Sequence, residues 1–208
     1  MLEKAPKILQ KMSKVGLRPK YIRKRFSKLT HLANKYWKDQ SMQREIIETS
    51  QGVVGITRPF KNIIETLNVA EKDTIMYIGL PGVCTPFIEL LSYSIRTLNL
   101  QQVYVPVIDL KSAMEIISVN NVGIQFGAPI FVQSAKVIVV LGGLSMPISP
   151  VRSDDVNLLI KNVVVEGGSV IGICFMDMFE KAGWNSVIPF DYTIDATIDP
   201  VRVEKFIR

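Results

Sequence analysis

Two cysteines carry the reactive chemistry open to this chain. Cys84 lies in Gly79-Leu-Pro-Gly-Val-Cys-Thr-Pro86, and Cys174 closes the run Ser169-Val-Ile-Gly-Ile-Cys174. A thiol attacks as its thiolate, which a helix N-terminus or a neighbouring base stabilises. Cys84 stands one residue before Thr85, which can cap the helix that Pro86 begins, so Cys84 is expected to be the more reactive thiol. Cys174, between Ile173 and Phe175, is expected to be a small buried hydrophobe. A base is missing from both. The single histidine is His31, in a basic N-terminal segment. Two cysteines without a histidine nearby make a poor zinc set. Asp177 and Glu180 could add oxygens, but their spacing of three reads as a solvated helix face. No metal is expected, and no cofactor can be named from these residues.

Glycine-rich turns surround both thiols. Gly79 and Gly82 allow a tight turn that brings backbone close to a ligand, and Gly142-Gly143 does the same after a second apolar run, with a hydroxyl at Ser145. The first turn is neither G-x-G-x-x-G nor a P-loop, and no lysine follows it, so a phosphate site and a structural turn both stay open. An anion at that helix start would gain about 0.3–1 kcal/mol from the dipole, enough to orient a ligand but not to hold it. The candidate ligand-binding residues are Gly79, Gly82, Cys84, Thr85, Gly142, Gly143, Ser145 and Cys174.

The elements that position these residues follow from hydrophobic pattern. Continuous β-branched runs predict core strands at 74–78, 102–107, 136–141, 169–174 and about 187–194, with a short extra strand at 130–132. Residues 52–59 read as a linker into a helix that starts at Pro59 and faces inward through Phe60, Ile63, Ile64 and Leu67. Helices are also expected from Pro86 through Ile95, over 111–118, from an N-cap at Ser153 to about 166, and over 175–182 with Gly183 closing it. Pro106 cannot donate to a ladder, so the second strand should lie at a sheet edge. Asp109 ends that strand; without a glycine fingerprint it reads as a cap or a solvated acid rather than a ribose ligand.

This alternation predicts an α/β fold: a doubly wound, mostly parallel sheet of five or six strands in the order 2-1-3-4-5, flavodoxin-like or class I glutamine amidotransferase-like. Its crevice opens between the first and third core strands, where Gly79-Pro86 and Gly142-Pro147 lie. Cys174 leaves the neighbouring strand on the same edge. Strand spacing puts the two cysteines roughly 10 Å apart, too far for an unstrained disulfide unless the Cys84 loop folds inward.

The chain has 208 residues, 48% of them hydrophobic, enough for one α/β domain and an appendage. The net charge of +6 is uneven: residues 1–40 hold 12 Lys/Arg against 2 acids, and residues 41–208 hold 13 against 17. A domain at 51–208 is therefore expected to follow a basic amphipathic helical arm at 1–50. Charge confined to one end suggests an anionic partner, RNA or a ribonucleoprotein first and a membrane surface second. Lys14, Arg18, Lys20, Arg23, Lys24, Arg25, Lys28, Lys35 and Lys38 are the candidate nucleic-acid contacts, with Tyr21, Phe26, Tyr36 and Trp37 among them. The alternative is a helical hairpin that packs its apolar stripe and leaves its lysines in water. No secretory signal or long apolar span is legible, so the expected location is cytoplasmic.

Val137-Ile-Val-Val-Leu-Gly-Gly143 and Gly168-Ser-Val-Ile-Gly-Ile-Cys174 resemble the strand-and-double-glycine and the nucleophile strand of the class I glutamine amidotransferase-like superfamily. That resemblance implies Cys174 as nucleophile. Phe175 and Met176 stand where a small glycine would permit the elbow, however, and no histidine follows Cys174, so glutamine hydrolysis is not expected. Gly-Leu-Pro-Gly-Val-Cys-Thr-Pro-Phe87, Leu-Gly-Gly-Leu-Ser-Met-Pro147, Gly-Ile-Cys-Phe-Met-Asp-Met-Phe179 and Ile-Asp-Pro-Val201 more closely resemble an uncharacterised family of archaeal, chiefly methanogen, proteins of unknown function. This second resemblance implies an archaeal cytoplasm, a single α/β domain and no known activity.

Two functions are consistent with these readings. One is a non-catalytic accessory protein anchored by its basic arm to RNA or a ribonucleoprotein, with the α/β domain binding protein or ligand. The other is a small-molecule enzyme or cofactor-binding protein of archaeal metabolism that uses the crevice near Cys84 and Cys174, the arm serving assembly into a larger complex or homo-oligomer.

Overall fold

The computed structural model describes residues 44–199 and 201–206. They fall mainly in one compact unit, Glu48–Arg208. The elements run α1 (Val54–Thr66), β1 (Thr74–Gly79), α2 (Thr85–Ser94), β2 (Gln101–Pro106), β3 (Met114–Val119), β4 (Gly123–Pro129), β5 (Ala135–Leu141), α3 (Ser153–Val163), β6 (Val164–Phe175), α4 (Met178–Lys181) and β7 (Tyr192–Ala196). Single 3-10 turns sit at Leu110–Ser112, Gly142–Ser145 and Trp184–Ser186. The strands form one sheet in the order β4-β3-β2-β1-β5-β6-β7. β2, β1, β5, β6 and β7 pair in parallel, and the β3–β4 hairpin pairs antiparallel onto β2.

The sheet is buried on both faces because the inner stretches of its central strands, 75–78, 103–105 and 137–141, are continuously apolar. Successive residues alternate between two cores: Met76, Ile78, Ile138 and Val140 pack with α3 and α4, while Ile75, Tyr77, Val137 and Val139 pack with α1 and α2. Each fully buried isoleucine or valine contributes about 1.5–3 kcal/mol, so these two layers dominate stability. Two tyrosines enter the apolar layer with their hydroxyls bonded: Tyr77 donates to Gln102 Oε1 at 2.7 Å and Tyr104 to the Gly79 carbonyl at 3.2 Å. A buried hydroxyl left without a partner would cost about 1–3 kcal/mol.

The parallel strand order matches the expected 2-1-3-4-5, but the sheet has seven strands rather than five or six. The extra pair comes from 114–129, where a helix over 111–118 was expected. Ile116, Ile117 and Val119 favour a strand, and Asn121 (φ 63°) with Gly123 (φ 111°) supplies a hairpin turn. The strand expected at 130–132 lies earlier, at Gly123–Pro129. β3 covers β2, so β2 is interior and not an edge. Pro106 is tolerated because it is the last residue of β2, and Val107 N–H makes the bond to the Gly79 carbonyl at 2.8 Å.

The helices shift as well. α1 begins at Val54, so Pro59 lies inside it, and 44–51 carry no helix. Arg152 rather than Ser153 is the N-cap of α3, its backbone N–H donating to Asp155 at 3.3 Å. The helix expected at 175–182 is reduced to the short α4, because Met176 and Asp177 adopt left-handed conformations (φ 57° and 56°). Residues 187–191 are not strand; β7 begins only at Tyr192.

Candidate functional site

The crossover from β1 to β2 carries α2 on one face, and that from β5 to β6 carries α3 on the other. The switch point therefore lies at the carboxyl ends of β1 and β5, where open α/β sheets place ligands. The structure brings the predicted Gly79, Cys84, Thr85, Gly142, Gly143, Ser145 and Cys174 to this edge.

Glycines cradle both thiols. A Cβ built on Gly79 would lie 2.6 Å from Cys84 Cβ, and one on Gly143 would lie 2.5 Å from Cys84 Sγ. A Cβ on Gly142 would meet Cys174 Cβ at 2.6 Å and its Cα at 3.0 Å. The Cys84 loop thus folds inward and fills the space left by two side-chain-free positions. Cys84 packs in the α1/α2 core and Cys174 in the α3/α4 core, on opposite faces of the double glycine, and both are free thiols. Gly82 differs: it is exposed at φ +77° with nothing near its missing Cβ, and it serves the turn alone.

Cys84, not Thr85, is the N-cap of α2, and it makes no side-chain capping bond. Its N–H donates to the Leu80 carbonyl at 2.9 Å. Burial pushes the Cys84 thiol up, and the facing backbone groups of Leu80 and Gly143 oppose this without reversing it. The expected activation by the helix start is overridden by desolvation. Ser145 Oγ donates to the Gly142 carbonyl at 2.8 Å, so this hydroxyl is spent on its own turn.

Cys174 has a partner that sequence reasoning missed. Its S–H donates to Asp195 Oδ1 at 3.1 Å, and Asp195 also accepts the Asp177 N–H at 3.0 Å. Burial raises the thiol, the Asp195 hydrogen bond and charge add to it, and the backbone N–H groups of Phe179 and Met178 oppose; the result is a pKa of about 12. Cys174 pairs directly with Asp195 across β6 and β7, a register set only when those two strands come together. Tyr104, also missed, has its hydroxyl pushed up to about 12, by burial first and then by nearby Cys84. Asp109 is a cap, accepting Lys111 N–H at 3.1 Å and Ser112 Oγ–H at 2.6 Å, bonds that hold its carboxyl below the usual range.

At this edge Val107, a β-branched residue, also takes a left-handed φ of 57°. With Met176 and Asp177, strained backbone therefore collects at the carboxyl ends of β2 and β6. An open, polar depression of about 310 Å³ lies elsewhere, lined by Thr74, Gln101, Phe131, Val132, Gln133 and Ser134 near the opposite strand ends. Among the described residues no cluster of three His, Cys, Asp or Glu could hold a metal, and no helix is long and apolar enough to cross a membrane. The nucleic-acid candidates from Lys14 to Lys38 lie outside the described residues.

These features define an α/β protein with a mostly parallel seven-stranded sheet and a glycine-cradled pair of thiols at its switch point. Residues 51–199 match the family described as uncharacterized protein conserved in archaea (DUF2124), and the chain belongs to that family. An uncharacterized protein of Methanothermobacter thermautotrophicus is 39% identical over 147 residues, covering 68% of this chain and 94% of the relative. One of Methanocaldococcus jannaschii is 31% identical over 157 residues, covering 76% and 92%. The crystal structure of a protein of unknown function from Methanothermobacter thermautotrophicus superposes with a TM-score of 0.69 at 32% identity, covering 78% of this chain and 99% of that one.

Proposed function

We propose that this chain is a non-catalytic accessory protein: its α/β body, read as flavodoxin-like in its parallel strand order, binds another protein, and its basic N-terminal segment anchors it to RNA or a ribonucleoprotein. The observation that carries the first half is the filled crevice. At the switch point Cys84 occupies the space beside Gly79 and Gly143, both thiols are buried and raised in pKa, and the one hydroxyl on the β5 turn is bonded to its own backbone. A nucleophile is activated by a lowered pKa or a base that takes its proton; both thiols are raised, and the one carboxylate on a thiol, Asp195, raises Cys174 further. The rival reading, a small-molecule enzyme using this crevice, would require the Cys84 loop to leave its cradle.

The second half rests on charge. Residues 1–40 hold 12 Lys/Arg and 2 acids, against a net −4 for the rest of the chain. Neutralising about eight phosphates of single-stranded RNA should give a slope of about −6 in log affinity against log salt. Fluorescence anisotropy with a labelled single strand measures this. The body spanning 48–208 should not bind, and full-length chain carrying Arg23→Glu, Lys24→Glu and Arg25→Glu should bind with a visibly shallower slope. The body is suited to this test because the solved relative, matched over 99% of its own length, corresponds to 78% of this chain. Salt-steep binding retained by the truncated body would sink the anchoring role.

A further inference from the structure

We infer that the polar depression at the amino ends of β1 and β2 binds a single unpaired nucleobase. This deepens the RNA reading above and rests on it, adding a base contact to the phosphate contacts assigned to the basic segment. The depression holds about 310 Å³, the lower end of the range for small-ligand sites, and one aromatic ring, two amides and two hydroxyls line it through Phe131, Gln101, Gln133, Thr74 and Ser134. Residues 130–134 carry no secondary structure, yet the ring of Phe131 is held from both sides. Ile130 N–H donates to the Ala113 carbonyl at 3.0 Å, and Ile130 and Val132 pack into the core that contains α3. Phe131, between them, is turned outward and 82% exposed. An aromatic face open to solvent, on backbone anchored at both neighbours, is a platform on which a base can stack. Gln101 is held as well: Thr74 Oγ1–H donates to Gln101 Oε1 at 2.8 Å, which orients the amide and leaves the Nε2 hydrogens for an outside acceptor.

The chemistry of the lining selects the ligand. A base edge sets hydrogen-bond donors beside acceptors, the pattern that a side-chain amide pairs with. No charged side chain lines the depression, and the charges flanking it in sequence are engaged: Asp73 Oδ2 accepts the Ala70 N–H at 2.9 Å, and Lys136 Nζ donates to the Gly167 carbonyl at 2.8 Å. The part of the ligand that enters is therefore neutral, as a base is and a phosphate is not. A saccharide is neutral too, but the 12 Lys/Arg of residues 1–40 favour a ligand that carries phosphates alongside its bases.

Neutral nucleosides separate this site from the basic segment, because without phosphate they release no counterions. One base held without phosphate contacts is expected to bind at about millimolar Kd, below the reach of the anisotropy titration of the truncated body. The test is a titration of adenosine, cytidine and uridine into the isotope-labelled full chain, followed by its backbone and side-chain amide shifts in NMR. The expected result is movement confined to Thr74, Gln101 and residues 131–134, with a Kd indifferent to salt. Phe131→Ala should weaken binding by about fivefold or more, and Phe131→Tyr should retain it. The site is exposed, so the rest of the amide spectrum should match the parent in both variants. No movement with any nucleoside overturns the inference, as does a Phe131→Ala chain that binds like the parent. Methyl glucoside moving the same resonances more strongly than the nucleosides also overturns it and gives the depression to a saccharide. Such a failure leaves the salt-dependent anchoring standing, whereas a flat salt slope with nucleoside binding intact removes the anchoring and keeps the base site.

Discussion

Gly142→Ala should destabilise the protein by about 3 kcal/mol or more, while Gly143→Ala should cost less and be largely repaired by Cys84→Ala. The difference lies in what each new methyl would strike. At Gly142 the obstacles are Cys174 Cβ at 2.6 Å, Cys174 Cα at 3.0 Å and the Ile173 carbonyl at 3.4 Å, all fixed to the β6 backbone. Trimming Cys174 to alanine leaves the nearest of them in place. At Gly143 the obstacles are Cys84 Sγ at 2.5 Å and Val83 Cγ1 at 3.2 Å, the ends of side chains. Removing the sulfur vacates the space the methyl needs, so Gly143→Ala with Cys84→Ala exchanges one small group for another. Replacing glycine by alanine also restricts the unfolded chain, worth about 0.4–1 kcal/mol in the variant's favour, too little to offset either clash. Urea midpoints of the four single variants, Gly142→Ala, Gly143→Ala, Cys84→Ala and Cys174→Ala, and of the two pairs read the coupling. If Gly143→Ala with Cys84→Ala is no more stable than the sum of its singles predicts, the cradle is wrong.

That cradle marks where legibility in the sequence ended. Four of the five parallel strands were readable because Ile75 to Ile78, Val103 to Val105, Val137 to Leu141 and Val170 to Ile173 are buried on both faces and so are continuously apolar. The β3–β4 hairpin was not, because Glu115 breaks the pattern of β3, Gly123, Gly127 and Pro129 break that of β4, and one face of an outer hairpin meets water. The switch-point loops could be placed at one edge from topology alone. Whether a loop there is open or closed depends on tenths of an ångström between Gly79, Gly143 and Cys84, which spacing along a chain does not encode. The same gap explains the misjudged thiol: sequence puts Cys84 at a helix start, where its pKa would fall, but desolvation decides the sign once the side chain is buried. Asp195 was missed for a related reason. Its bond to Cys174 needs β7 to run through Ala196 in register with Phe175, whereas the hydrophobic pattern ends the last strand near residue 194.

Both thiols should resist alkylation near neutral pH, Cys174 by about a thousandfold relative to an ordinary cysteine thiol. For Cys174 the pKa rises from 9.0 to about 12, and three decades of pKa remove three decades of thiolate. Restricted access at a buried site slows the reaction further. Asp195→Ala removes the acceptor and the negative charge that add to this rise, so it should bring the Cys174 pKa down and speed its modification, even as the Asp177 turn loses its anchor. The same shifts set a direction for stability. Cys84, Cys174, Tyr77 and Tyr104 all hold their protons more tightly when folded than when unfolded. The unfolded state then binds fewer protons above pH about 9, so stability is full below that value and falls as pH rises toward 12. Chemical denaturation at pH 8, 9.5 and 11 should show this decline, and Cys174→Ala should flatten part of it. Alkylation followed by mass spectrometry on the native chain supplies the rates. Rapid modification of native Cys84 at pH 7 would mean that its loop leaves the cradle, and the crevice would again be an active site in search of a substrate.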